Sequence, residues 1–323
     1  MRDINEQLIK YLTDAHSIEQ QALAQMKAAP EIAGDPRLAE AFEAHLAETE
    51  EHERLVRDRL EAAGGKVNRI KDLAGRVTGA GFVWFARSQP DTPGKLVTHG
   101  FSYEHLELAA YDLLERVAER AGDAETAEMA RRIRAQEDAM AGRLAAMWDV
   151  AVEASLREKD ADDLGEELGS YLTDAHAIEA QAIQLLSKSP DLAGTPELER
   201  VYAEHLEETR AQQSLVEQRL QARGESPSRF KDAALRLGAL NWGGFFAAQP
   251  DTPAKLAGFA YAFEHLEIGG YEQLLRVAER AGDTETAAAA GRILDEERVA
   301  AERIHEGFGP ALEASLQDVG ART

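Results

Sequence analysis

The chain has 323 residues, and 59 aspartates and glutamates outweigh 36 lysines and arginines to give a formal charge of −23, a surface that repels nucleic acid and anionic membrane. It has no cysteine, which excludes disulfides, thiolate zinc sites and iron–sulfur clusters. No apolar run is long enough to span a membrane, and MRDINEQLIKYLTDAH at the start lacks a signal peptide's apolar core, so a soluble cytoplasmic protein is expected.

The first predicted helix covers about residues 3–28. Leu8, Leu12, Ala15, Ala22 and Met26 recur at helical spacing, and Glu19 stands in that stripe where a leucine is expected. Asp35-Pro36 supplies an N-cap and a first-turn proline for a second helix, which stops at Gly64-Gly65. Its stripe runs through Ala41, Phe42 and Leu55 but also carries His45, Glu48 and His52, whose spacing puts them on one face. A long crossover, roughly 66–91, follows and contains the aromatic GFVWF at 81–85, expected to cover the bundle or pack the domains together. Thr92-Pro93 opens a third helix, 93–121, bearing Glu104, Glu107 and Tyr111. Gly122 ends it, and Asp123 caps a fourth, 124–157, where Glu137 interrupts Ala130, Ile133, Met140 and Leu144. Strand signals are almost absent.

The chain then repeats itself. YLTDAHSIE at 11–19 returns as YLTDAHAIE at 171–179, EHLELAAY at 104–111 as EHLEIGGY at 264–271, and RVAERAGDAETA at 116–127 as RVAERAGDTETA at 276–287. The offset is 160 throughout, so this is one duplicated domain rather than a short-period solenoid. The expected domains are 1–158 and 166–323, joined by the polar EKDADDLGEE, 158–167. Two helical hairpins joined by a long crossover make an all-α, ferritin-like four-helix bundle in each copy. WGGFF, 242–246, is the second copy's crossover motif.

Counting from the hairpins places the inner acids of the four helices at a common depth. One buried carboxylate costs several kcal/mol unless paired, bonded or neutralised. A cation resolves four of them, and carboxylate with imidazole suits iron, manganese or zinc. The expected ligands are Glu19, Glu48, Glu107 and Glu137 with His45 and His52, and in the second copy Glu179, Glu208, Glu267 and Glu297 with His205. Glu104 and Glu264 are expected to support these ligands. His16, His105, His176 and His265 are read as structural or as supports of the ligands, and Tyr111 and Tyr271 as packed core. Gln212 replaces His52 in the second copy, so the second site is expected to bind metal more weakly. The competing expectation is a carboxylate–histidine hydrogen-bond network without metal.

YLTDAHSIE, HLAET, EHLELAAY and AERAGD, with their second copies, resemble the ferritin-like YciE/YciF (DUF892) family over nearly the whole chain. The resemblance implies rubrerythrin-like bundles that pair as dimers, a dinuclear iron site and a stress-related role. The expected function is therefore metal binding, with a di-iron or manganese centre, oxidase or peroxide-consuming chemistry, and metal ions and dioxygen or peroxide as partners. The two repeats are expected to dock as a pseudo-dimer. The alternative is a non-enzymatic stress or scaffold protein with a vestigial polar core.

Overall fold

The computed structural model describes residues 4–66, 92–160, 163–226 and 251–320. Both crossover segments, with GFVWF and WGGFF, lie outside the described residues. Every regular element among the described residues is a helix, and none is long and apolar enough to cross a membrane. The chain divides into two compact units, the first running to Arg157 and the second spanning Glu158–Val319.

Unit 1 contains α1 (Ile4–Met26), α2 (Ala29–Ile32), α3 (Pro36–Ala62), α4 (Thr92–Ala121), α5 (Ala124–Ala145) and α6 (Trp148–Ser155). Unit 2 repeats the series as α7 (Asp163–Leu186), α8 (Ser189–Leu192), α9 (Pro196–Ala222), α10 (Thr252–Arg280), α11 (Thr284–Glu306) and α12 (Phe308–Asp318). In unit 1, α1 packs on α3 and α4, and α5 packs on the same two, so four long helices enclose one core. In unit 2, α7 packs on α9 and α10, and α11 packs on the same pair.

The turn chemistry sets these directions. Gly122 takes φ 71°, Asp123 N–H returns to Ala118 O at 2.9 Å, and the Asp123 carboxylate accepts from Thr126 N at 3.0 Å. One glycine thus closes α4 and the next residue caps α5. Arg59, near the end of α3, reaches Asp123 at 2.8 Å and Thr126 Oγ1 at 3.0 Å, so α3 ends where α5 begins. At the opposite end Gly34, at φ 71°, lies so close to Pro93 that a Cβ would meet its Cγ at 2.5 Å. Hence α3 finishes at one end of the bundle and α4 starts at the other, the connectivity of ferritin-like bundles.

Among the described residues each unit has six helices rather than the four expected, and proline explains most of the difference. Pro30 cannot donate to the Met26 carbonyl and its ring collides with it, so α1 stops at Met26 and a separate turn, α2, follows. Pro190 stands in the same relation to Leu186, and Pro310 to Glu306, where α11 ends. In unit 1 Val150 replaces that last proline and the break persists. There the Trp148 ring packs edge-on against Phe101, centroids 5.3 Å apart; Phe308 meets Tyr261 at 5.5 Å in unit 2. Ser155 Oγ then accepts from Gly94 N at 2.9 Å, and Ser315 Oγ from Ala254 N at 2.9 Å, serving amides of the first turns of α4 and α10.

Trp148→Ala is expected to destabilise unit 1 by about 3–5 kcal/mol, because a fully packed indole leaves a cavity. Ser155→Ala is expected to cost about 1 kcal/mol by removing a buried hydrogen bond to the first turn of α4. Urea denaturation followed by circular dichroism measures both, and near-equal losses would show that α6 is held by its cap rather than by its aromatic anchor.

Candidate metal centre

The inner stripe of α3 is Leu38, Phe42, His45, Thr49, His52, Val56 and Leu60, all buried. The steps are of three or four residues, the spacing that keeps one seam of a helix on a bundle axis. His45 and His52 therefore enter the core two turns apart. Glu19 from α1, Glu104 and Glu107 from α4, and Glu137 from α5 arrive at the same level, none more than 1% exposed. The unit 2 set is Glu179, Glu264, Glu267 and Glu297 with His205 and Gln212, equally enclosed.

In unit 1 these side chains form two groups that share one acid. Donor atoms of His45, Glu104, Glu107 and Glu137 lie within 4.8 Å of one another, as do those of Glu19, His52 and Glu137. Glu137 turns one oxygen to each group, with Oε2 at 3.2 Å from His45 Nε2 and Oε1 at 2.8 Å from His52 Nδ1. His45 Nε2 is also 3.3 Å from Glu104 Oε2. These are close approaches rather than aligned hydrogen bonds: both Glu137 oxygens, both Glu104 oxygens, Glu107 Oε1 and Glu19 Oε2 have no hydrogen-bond partner among the described residues. The other Glu19 oxygen accepts from Tyr111 OH. In unit 2, His205, Glu264, Glu267 and Glu297 make one such group, and Tyr271 OH donates to Glu179.

Burial pushes the Glu19 and Glu107 carboxyls well above the ordinary range, and the neighbouring acids push them further. Burial likewise raises Glu104 to about 8, although His45 opposes it. Burial would also raise Glu137, but His45 and His52 outweigh it and hold this acid down at about 2. His45 is the counterpart: burial disfavours its charge, yet Glu104 and Glu137 lift it to about 11. In unit 2 burial raises Glu179 to about 8 and lifts Glu267 and Glu297 well above the usual range.

Two sequence expectations change places. Glu48 does not join the cluster; it falls on the flank of the α3 seam, with 29% of its side chain exposed. Its Oε2 accepts from His45 Nδ1 at 3.0 Å, and Arg143 holds the same carboxylate at 3.3 Å. Glu208 sits likewise, 41% exposed, between His205 at 3.3 Å and Arg303 at 3.4 Å. A carboxylate only accepts, so it keeps the proton on Nδ1 and leaves Nε2 facing the core. Glu104 and Glu264, expected in support, are instead members of the cluster. The α3 seam gave the available signal: steps from Phe42 and His45 lead to Thr49, not Glu48.

The remaining expected residues have definite places. His45, His52, Glu19, Glu107 and Glu137 come together in unit 1, and His205, Glu267 and Glu297 in unit 2. Glu179 is buried and held by Tyr271. His16 pairs with Glu53 at 3.1 Å and His176 with Glu217 at 3.0 Å. His105 and His265 bond the carbonyls of Phe101 and Tyr261 one turn back, at 2.7 and 2.8 Å. All four thus lie beside the stripe with hydrogen-bond partners of their own.

A family model described as a domain of unknown function, DUF892, matches residues 3–157 and again 163–315. The chain belongs to the DUF892 family, in two tandem copies. No solved structure matches it. Each DUF892 unit thus buries a cluster of oxygen and nitrogen donors that could hold a metal ion. The donor set fits a transition-metal cation, since anionic oxygens without hydrogen-bond donors are what a cation satisfies.

Without metal, these groups give the protein an inverted pH dependence. Glu104 binds its proton more tightly folded than unfolded, so its effect on stability is unfavourable above the ordinary carboxylate range and grows until about pH 8. The stabilisation from His45, raised to about 11, is fully present below about pH 6.5 and is lost above it. Glu137, depressed to about 2, loses its stabilising effect only under acid conditions. Chelator-stripped protein is therefore expected to lose on the order of 3 kcal/mol between pH 5 and pH 8. Urea denaturation across that range checks it, and Glu104→Gln should flatten the slope.

Proposed function

We propose that the DUF892 units bind transition-metal ions in their cores, with iron or manganese as the resident metals and zinc as a further occupant. The observation that carries this reading is Glu107. It is 1% exposed and shares its place with Glu104, Glu137 and the single imidazole of His45, while burial and then Glu137, Glu19 and Glu104 push its carboxyl up. Glu267 is completely enclosed beside Glu264, Glu297 and the single imidazole of His205, and burial and then Glu297, Glu179 and Glu264 push it up. Three carboxylates around one imidazole gain little for the fold on their own; a cation turns the repulsion into ligation.

In this reading Glu19, Glu104, Glu107, Glu137, His45 and His52 hold the metal in unit 1, with Glu137 offering an oxygen to each of two positions. Glu264, Glu267, Glu297 and His205 do so in unit 2. A redox-active metal held there would supply electrons for the reduction of dioxygen or peroxide, which makes a cytoplasmic oxidase or peroxide-consuming stress protein the proposed role. The chain's own part is to position and to exclude water. Glu48 and Glu208 fix the imidazoles, Tyr111 and Tyr271 fix Glu19 and Glu179, and Phe42, Ile133, Met140 and Leu144 close the core of unit 1. The alternative, a scaffold protein with a metal-free polar core, draws support from His45, whose charge can offset Glu104 and Glu137 without metal.

Glu107→Gln combined with Glu267→Gln separates the two. If the acids are ligands, metal-free double variant is more stable than wild type by about 1–2 kcal/mol, because repulsion is relieved. It also forfeits the stabilisation that saturating metal gives wild type, about 2.7 kcal/mol at a hundredfold excess over Kd. Thermal denaturation with and without ferrous or manganous ion measures both. A destabilised variant, with wild type indifferent to metal, would support the scaffold.

A further inference from the structure

The two units are not equivalent toward metal. Unit 1 gathers two donor groups, His45–Glu104–Glu107–Glu137 and Glu19–His52–Glu137. The first recurs in unit 2 as His205–Glu264–Glu267–Glu297. The second does not recur, because the residue matching His52 is Gln212. Of the matching residues Glu179 and Glu297 remain, with a neutral amide in place of the ring.

The exchange extends to the neighbouring position. His52 Nε2 lies 3.2 Å from Gln136 Oε1, so the ring is steadied on its outer side while Nδ1 faces Glu137. In unit 2 the partner is Glu296, which accepts from Gln212 Nε2 at 3.2 Å and also pairs with Arg292. That bond fixes the amide nitrogen outward and leaves Gln212 Oε1 buried and without a hydrogen-bond partner. An amide oxygen is a far weaker ligand for iron or zinc than an imidazole nitrogen.

Building on the metal-binding reading above, we propose that unit 1 holds two metal ions, sharing Glu137, and unit 2 holds one, on His205, Glu264, Glu267 and Glu297. The chain is thus a three-ion protein with a dinuclear and a mononuclear centre. Two-ion chemistry belongs to unit 1. The single ion of unit 2 has the same inner shell as one half of unit 1 but no second ion beside it.

The test is a count. Chelator-stripped full chain is loaded anaerobically with saturating ferrous ion, desalted, and analysed for iron per chain. Titration calorimetry supplies an independent stoichiometry. Wild type should bind three ions, His52→Gln two, and Gln212→His four. Mössbauer spectra of the iron-57 protein should show an exchange-coupled pair in wild type, none in His52→Gln, and two pairs in Gln212→His. Two or four ions in wild type, or a count that neither substitution moves, would overturn the asymmetry while leaving metal binding intact. No iron retained by any of the three proteins would overturn the metal-binding reading itself. The wild-type count decides the matter even where a variant folds poorly.

Discussion

A carboxylate moved from water into a helical core must find a positive partner or give up its charge, and each unit of this chain moves four to one level. Unit 1 supplies two imidazoles against them and unit 2 one, so neither set is neutralised by side chains alone. That shortfall explains why Glu19, Glu104 and Glu107 are pushed to hold protons, while Glu137, between two rings, is not. The bundle must be held together against this repulsion by everything else in it. A core of leucines would be more stable and would need none of the surrounding devices.

Those devices sit in layers around the acids. On α3, Arg143 steadies Glu48, Glu48 steadies His45, and His45 faces Glu104 and Glu137, so a surface cation is linked to the core through two side chains. On α1, Tyr111 spans from α4 to hold Glu19. Beside the cluster, Glu53 gathers Gln20 at 2.8 Å, Arg57 at 2.7 Å and His16, tying α1 to α3. The ends are fastened by Arg59 on Asp123 and by Ser155 on the first turn of α4. Helices fastened at both ends resist spreading, which keeps the buried acids from water.

Much of this was legible in the sequence because the signals were local. Glu19, His45, His52, Glu107 and Glu137 broke apolar stripes at helical spacing, and the 160-residue repetition showed that none of the acids was an accident of one copy. Glycine and aspartate at 122–123 marked the hairpin correctly. The choice of Glu48 over Glu104 failed for a geometric reason. Residues three and four apart share a face, but a bundle seam is narrower than a face, and Glu48 is one position off it. On α4 the broad buried surface admits both Glu104 and Glu107, which no spacing rule separates from a flank position. The short helices α2 and α8 were not expected, although Pro30 and Pro190 carried the signal for them. The break before Trp148 was not, since it depends on an aromatic contact to α4.

The duplication also provides an internal experiment in electrostatics. Glu137 and Glu297 occupy matching positions, both enclosed, each on the fourth long helix of its unit. Yet Glu137 is depressed to about 2 and Glu297 is raised well above the usual range. Burial acts on both in the same sense, so the difference lies in the groups that face them. Glu137 has His45 at 3.2 Å and His52 at 2.8 Å; Glu297 has only His205, at 3.7 Å. Glu297 is also pushed up by Glu264, toward which His205 turns at 2.8 Å, so the two central acids differ both in the rings and in the acid that face them. On the metal-binding reading, an ion taken up beside acids that hold protons would have to displace them, so its apparent affinity would fall toward acid pH.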